Sequence, residues 1–218
     1  MADDPERFED RRAAGRALAR RLEGYADVPG LVVLGLPRGG VPVAYEIALA
    51  LRAPLDVFVV RKLGVPDEEE LAMGAIASGG ARVLNEDLIR ALHLNDAVIE
   101  RVTQREQQEL ERRETAYRSG RAAIDVEGHV VIVVDDGLAT GATMRAAVRT
   151  LRAMKPARLV VAVPTAAPDV CRELAADVDE VVCLRTPVPF YGVGYWYDDF
   201  SPTTDEEVRR LLALAGPA

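Results

Sequence analysis

The sequence predicts an α/β fold: a parallel five-stranded sheet flanked by helices, with a C-terminal hood and a helical insertion. Three observations carry this. Five apolar runs, Leu31–Leu34, Pro54–Val60, Val130–Val134, Arg158–Val163 and Glu180–Leu184, have the length and character of buried strands. Most are followed by a turn and a helical pattern, the strand–helix–strand order that builds parallel sheets through right-handed crossovers. A chain of 218 residues with 49% hydrophobic content also suffices for one sizeable core. Residues 1–218 are therefore read as a single domain, with a hairpin and helical insertion over 64–128 and a hood with a C-terminal helix over 185–218. No internal repeat and no linker rich in Pro, Gly or Ser marks a second unit.

The elements follow in order. The first helix is expected from about Asp10 to Gly24, where Ala14, Leu18 and Leu22 recur every four residues among arginines and face the body. After Leu31–Leu34 comes the turn Gly35-Leu36-Pro37-Arg38-Gly39-Gly40, then a helix over Val41–Leu51. The strand Pro54–Val60 is expected to end at Arg61-Lys62, on the carboxyl edge of the sheet. Beyond Gly64 the pattern changes. Glu68-Glu69-Glu70 reads as a solvated acidic face, and Ala72–Ala77 with Ala81–Leu84 flanks Ser78-Gly79-Gly80 as a hairpin. A short helix near Glu86–Leu92 precedes a long charged one near Asp96–Ser119, with Glu109/Arg113 and Glu114/Arg118 in the favourable i,i+4 orientation. Its stripe of Val98, Val102, Leu110 and Tyr117 is thin, so it reads as a projecting helix or subunit contact, or equally as a solvated surface helix. Helices over Met144–Met154 and Pro168–Ala176 complete the core. The tail from Arg185 is loop-like and aromatic until a last helix near Asp205–Ala215.

Chemistry concentrates after the third core strand. Val130–Val134 ends in two acids, Asp135 and Asp136, and the small-residue turn Gly137-Leu138-Ala139-Thr140-Gly141-Ala142-Thr143 leads into a helix. Unpaired N–H groups and the helix dipole at such a start attract phosphate, while the acids sit where open α/β sheets bind ligands. A ligand with hydroxyls or a metal at one end and phosphate at the other satisfies both parts, which describes a phosphorylated sugar. The bland alternative is a strand ending in acids with Thr140 as a plain helix cap.

The segment VVIVVDDGLATGAT, from Val130 to Thr143, closely resembles the 5-phosphoribosyl-1-diphosphate (PRPP) binding motif of type I phosphoribosyltransferases. The resemblance implies that Asp135 and Asp136 are the catalytic residues that hold the ribose hydroxyls, and that Ala139, Thr140, Gly141, Ala142 and Thr143 cradle the 5′-phosphate. Leu36-Pro37-Arg38-Gly39-Gly40 resembles the family's pyrophosphate loop: the glycines let backbone N–H groups approach an anion, and Arg38 offers a planar fork of donors. A plain turn is the alternative. Lys62 is the other candidate near pyrophosphate, against a solvated strand terminus. A mobile loop closing over the reacting centre is expected between Leu63 and Asp87. The resemblance further implies Mg²⁺, held by Asp135 and Asp136 indirectly through PRPP or water. Ala139 stands where 6-oxopurine enzymes carry a third acid, so no general base is visible in the loop.

The tail string YGVGYWYDDF resembles the base-covering hood of 6-oxopurine phosphoribosyltransferases. On that match Tyr191 stacks on a base, Trp196 lies in the same hood, and Asp198 sits near base or metal. The alternative is a hydrophobic loop anchored over its own core. Leu184 occupies the place of the lysine that reads a purine oxygen, so a 6-oxopurine is not the expected acceptor. Together these readings imply a transferase, specifically a Mg²⁺-dependent phosphoribosyltransferase of nucleotide metabolism moving phosphoribose from PRPP to an undetermined nitrogenous base. The alternative is a non-catalytic PRPP- or nucleotide-sensing protein of the same fold.

Composition narrows the partners. With net charge −8, a nucleic-acid partner is not expected. No apolar run approaches eighteen residues and the start is charged, which predicts a cytoplasmic protein with no membrane partner. Cys171 and Cys183 fit a reduced cytosolic state, and no zinc spacing is visible. A homodimer is the expected assembly.

Overall fold

Residues 7–66 and 68–216 are described by the computed structural model. The charged first six residues lie outside them, as does Asp67 in the expected mobile loop, and so do the side chains of Glu69 and Glu70 in the acidic run. The chain forms α1 (Arg11–Arg21), β1 (Leu31–Gly35), α2 (Gly40–Leu51), β2 (Leu55–Val57), β3 (Val60–Val65), β4 (Glu68–Ala77), β5 (Arg82–Leu84), α3 (Glu86–Ala91) and α4 (Asp96–Arg118). It continues with β6 (Val130–Val134), α5 (Ala142–Ala153), β7 (Arg158–Thr165), α6 (Pro168–Leu174), β8 (Glu180–Arg185) and α7 (Asp205–Leu214).

The predicted parallel five-stranded sheet is present, in the order β2-β1-β6-β7-β8. Its central strands are apolar because both faces are covered. Along β6, Ile132 and Val134 face the side packed with Leu18, Ile47 and Leu211, while Val131 and Val133 face Met144, Leu151 and Leu174. From β1 the chain passes outward to β2, whereas from β6 it passes the other way to β7 and β8. The connections therefore diverge between β1 and β6, and the turns after those two strands open into the crevice where such sheets bind ligands.

One strand differs from expectation. Pro54–Val60 is not a single element: β2 ends at Val57, and the chain crosses into a three-stranded antiparallel sheet, β3-β4-β5. Phe58 and Val59 are buried in the crossing, held by Phe58 N–H to Gly35 O (3.0 Å) and Val59 N–H to Ser78 Oγ (2.9 Å). Burial without sheet pairing looks like strand in sequence. Arg61 and Lys62 consequently lie inside β3, and the edge-of-sheet argument for them does not hold.

The long helix also departs from its expected role. α4 buries Ile99, Val102, Leu110 and Tyr117 and packs against β2, β3, β4 and α7, so it lies along the body rather than projecting from it. Ile99, rather than Val98, is the buried residue of its first turn. Glu106 is buried with it and is neutralised by Arg61 (2.6 Å) and Arg105 (3.0 Å). The pairs Glu109/Arg113 and Glu114/Arg118 both form. Cys171 on α6 and Cys183 on β8 are joined by a disulfide, which corrects the expectation of two reduced thiols. No helix among the described residues is long and apolar enough to cross a membrane.

Candidate functional site

The turns after β1 and β6 meet. Leu36 N–H donates to Val134 O (2.8 Å) and Gly40 N–H to Leu36 O (3.0 Å), which seats the turn against the end of β6. A methyl group on Gly40 would come within 2.6 Å of Val134 O, and one on Gly39 would overlap the Asp136 carboxylate. Glycine is required here by close approach rather than by dihedral angle. Arg38 is exposed at the rim, with Nη1 3.7 Å from Asp205 at the start of α7. The candidate pyrophosphate turn and the acid pair thus share one crevice.

Asp135 accepts the backbone N–H of Asp136 (2.9 Å). Withdrawal from water, reinforced by the charge of Asp136, pushes the Asp135 carboxyl well above the usual carboxylate range. Asp136 is held from two further directions. Arg11 Nε donates to Asp136 Oδ2 (2.8 Å), and the Tyr197 hydroxyl donates to the Asp136 carbonyl (2.5 Å). Burial, with the nearby Asp136 charge, holds the Tyr197 phenol far above its normal range, so it remains a donor.

The loop Ala139–Thr143 runs from the acids into α5. Gly141, at φ +68, caps that helix in the left-handed region, where a side chain is disfavoured. A methyl group there would also meet Val170 Cγ1 of α6 at 2.5 Å. Ala139, Thr140 and Thr143 are exposed, leaving the loop open to a ligand. Leu138 anchors its other end by N–H to Thr165 O (3.0 Å) and by accepting from Ala167 N–H (3.0 Å). Arg145 of α5 donates to Thr140 O (2.6 Å) and pairs with Glu173 (3.2 Å), bracing the cradle from below.

Lys62 lines a cavity of about 170 Å³ with Ala142, Arg145 and Arg149, between the small sheet and α5. The structure therefore groups Asp135, Asp136, Arg38, Gly39 and Gly40 at one crevice, with Ala139–Thr143 leading out of it, and places Lys62 in a cavity it shares with Ala142 of that loop.

The hood has two strands of chain, not one. Phe8 N–H donates to Trp196 O (2.9 Å) and Asp198 N–H to Phe8 O (2.8 Å), so the start of the chain pairs with the tail. Val193 packs onto Gly137. Tyr191 is 70% exposed and Tyr195 41%, with ring centroids 5.1 Å apart, and both can present an aromatic face to a ligand. Trp196 is 3% exposed and packs with Phe8, Ala14 and Tyr197, so within the hood it anchors the loop over its own core. An aromatic string in sequence does not say which ring turns inward. Asp198 is exposed. Sequence reasoning missed Arg11 and Tyr197. Arg11 is one of five arginines in Arg11–Arg21, and only its contact across 125 residues distinguishes it.

The profile of the phosphoribosyl transferase domain matches residues 67–198, a span that includes the acid pair, the phosphate-type loop and the hood. Over 208 residues the chain is 51% identical to two Mycobacterium tuberculosis proteins, "Putative phosphoribosyl transferase Rv0571c" of strain H37Rv and "Putative phosphoribosyl transferase MT0597" of strain CDC 1551. That alignment takes in 95% of this chain and 47% of each relative, so the chain spans about half the length of the curated relatives it matches. The crystal structure of TT1426 from Thermus thermophilus is 44% identical and superposes with a TM-score of 0.86, covering 94% of this chain and 97% of that one. With a profile match over more than half of its residues and a fold shared with a 44%-identical relative, the chain belongs to the phosphoribosyl transferase domain family.

Proposed function

We propose that the protein is a phosphoribosyltransferase that moves phosphoribose from PRPP to a nitrogenous acceptor. One observation carries the reading: two adjacent carboxylates stand at the divergence point of the sheet, between a glycine turn bearing Arg38 and a loop entering a helix. A molecule with anions at both ends and hydroxyls between them matches that order. In this reading Thr140, Thr143 and the backbone amides from Ala139 to Ala142 hold the 5′-phosphate, and Asp135 and Asp136 accept the ribose hydroxyls. Arg38, Gly39 and Gly40 receive the pyrophosphate. The bond from C1 to the pyrophosphate oxygen breaks as the acceptor nitrogen bonds to C1, and the turn stabilises the departing anion.

Asp135 and Asp136 are the oxygen donors a Mg²⁺ would use, and one oxygen of Asp136 already serves Arg11. No group of three or more His, Cys, Asp or Glu side chains among the described residues forms a metal cage. That donor set fits a cation that keeps its waters and binds mainly through substrate phosphates. When bound there, Mg²⁺ supplies charge neutralisation for the leaving pyrophosphate. Tyr191 and Tyr195, both exposed beside Val193, which packs onto Gly137 next to the acid pair, are the stacking surface for a planar acceptor.

The test is pyrophosphate release from PRPP and Mg²⁺ across a panel of purine, pyrimidine and smaller nitrogenous acceptors. Release with at least one acceptor is expected, and Tyr191→Ala should weaken that acceptor's nucleotide by about 1–3 kcal/mol, the range for loss of a base–aromatic stack. Binding of PRPP without release for any acceptor would favour a sensing role instead.

A further inference from the structure

Arg11 is the first residue of α1, yet its side chain reaches the centre of the crevice and is only 11% exposed. Three contacts hold it there. Nε donates to Asp136 Oδ2 (2.8 Å), Nη1 donates to Ser201 O (2.8 Å), and the guanidinium lies 3.9 Å from the Phe200 ring centroid. Phe200 packs on Tyr197 (5.0 Å between rings), whose hydroxyl holds the Asp136 carbonyl. The same acid is therefore gripped by its side chain from α1 and by its backbone from the hood. Gly39 abuts that carboxylate from the opposite turn, where a methyl group would also lie 3.3 Å from Arg11 Nε.

We propose that Arg11 is a positioning residue for the ribose subsite, fixing the Asp136 carboxylate in one orientation and fastening the hood over the acid pair. The inference rests on the phosphoribosyltransferase reading above. The planar guanidinium suits this task because it satisfies a carboxylate and a carbonyl at fixed angles while stacking on a ring. A lysine could supply the charge but not all three contacts. With Oδ2 taken by Arg11, the second Asp136 oxygen is the one left for a ribose hydroxyl, and the geometry of ribose binding depends on a residue 125 positions away in the chain. Arg11 does not touch the reacting atoms. Its effect passes through Asp136.

The test is a double-mutant cycle on PRPP affinity, read by calorimetry, with Arg11→Ala, Arg11→Lys, Asp136→Asn and the Arg11→Ala/Asp136→Asn pair. Arg12→Ala is the control, since Arg12 sits on the same helix but pairs with Glu46 (2.6 Å). Arg11→Ala is expected to weaken PRPP at least tenfold, Arg11→Lys to recover part of the loss, and Arg12→Ala to change affinity less than twofold. Asp136→Asn added to Arg11→Ala should cost far less than Asp136→Asn alone, because the carboxylate is no longer held in place. If Arg11→Ala does not fold, Arg11→Lys carries the comparison and should still bind PRPP several-fold more weakly than wild type. PRPP affinity within twofold of wild type in the Arg11 variants, or losses that simply multiply in the cycle, would overturn the assignment while leaving the functional reading intact. A wild-type chain that does not bind PRPP would overturn the functional reading itself, and the ribose role of Arg11 with it.

Discussion

Arg118→Ala should lower the folding free energy by about 3–5 kcal/mol, the cost of leaving a buried charge without its partner. Arg118, the last residue of α4, and Asp56 in β2 are each only 7% exposed. Arg118 Nε lies 3.0 and 3.1 Å from the two Asp56 oxygens, Nη2 donates to Val57 O (2.8 Å), and Nη1 pairs with Glu114. Asp56 also accepts the backbone N–H groups of Val57 (2.7 Å) and Ile124 (3.1 Å). The network ties the end of the inserted segment to the outer strand of the parallel sheet. Removing the guanidinium strands Asp56 and breaks contacts to three groups, Asp56, Val57 O and Glu114, at once. Urea denaturation should therefore show a large fall in midpoint, whereas Arg90→Ala, which removes a pair exposed at 73% and 92%, should change stability by less than about 0.5 kcal/mol. The double variant Asp56→Asn/Arg118→Met should recover much of the loss, because a buried neutral pair carries a far smaller desolvation penalty than a stranded carboxylate.

Asp135→Asn should do the reverse, stabilising the fold while impairing the site. The Asp135 carboxyl is raised by desolvation and by the charge of Asp136, so the folded state resists its ionisation. For a group whose folded value lies above its unfolded one, the stabilising contribution is complete below the unfolded value. It is lost as pH rises through the folded value. Neutral pH lies above the unfolded value, so there the buried Asp135 carboxyl is a burden on the fold, and an amide that keeps the oxygen accepting from Asp136 N–H removes it. The expected gain is roughly 0.5–2 kcal/mol at pH 7, as for other relieved active-site groups, shrinking towards zero in acid. Thermal melts of both proteins across pH would check it. PRPP affinity should fall by about 1–3 kcal/mol in the same variant, as for a lost charge-assisted hydrogen bond. A variant both less stable at pH 7 and unchanged in affinity would contradict the account of this acid.

Much of this was legible from local pattern. Val130–Thr143 could be read because an apolar strand, two acids and a glycine-bearing helix start each have a short-range physical cause. The central parallel strands were legible for the same reason, since burial on both faces forces continuous apolar runs. The failures share a different origin. Phe58 and Val59 are as apolar as strand residues but are buried in a crossing between sheets, so composition could not place the end of β2. Ile99 was missed because a helix starting at Asp96 turns that residue, not Val98, onto the body. Arg11, Tyr197 and Trp196 owe their roles to the pairing of Phe8 with the tail, a contact between the two ends of the chain that no local signal announces. Cys171 and Cys183 are only twelve residues apart, but their meeting depends on α6 folding back on β8.

The central claim is that one crevice binds PRPP through two separate anion sites flanking the acid pair. The most direct measurement is calorimetric titration of the purified chain, with Mg²⁺, by PRPP, pyrophosphate and ribose 5-phosphate, repeated on Arg38→Ala. PRPP should bind more tightly than either fragment, because it engages both turns at once. Arg38→Ala should weaken PRPP and pyrophosphate and leave ribose 5-phosphate nearly unchanged. Absence of PRPP binding to the wild-type chain, or equal losses for all three ligands in Arg38→Ala, would contradict the account.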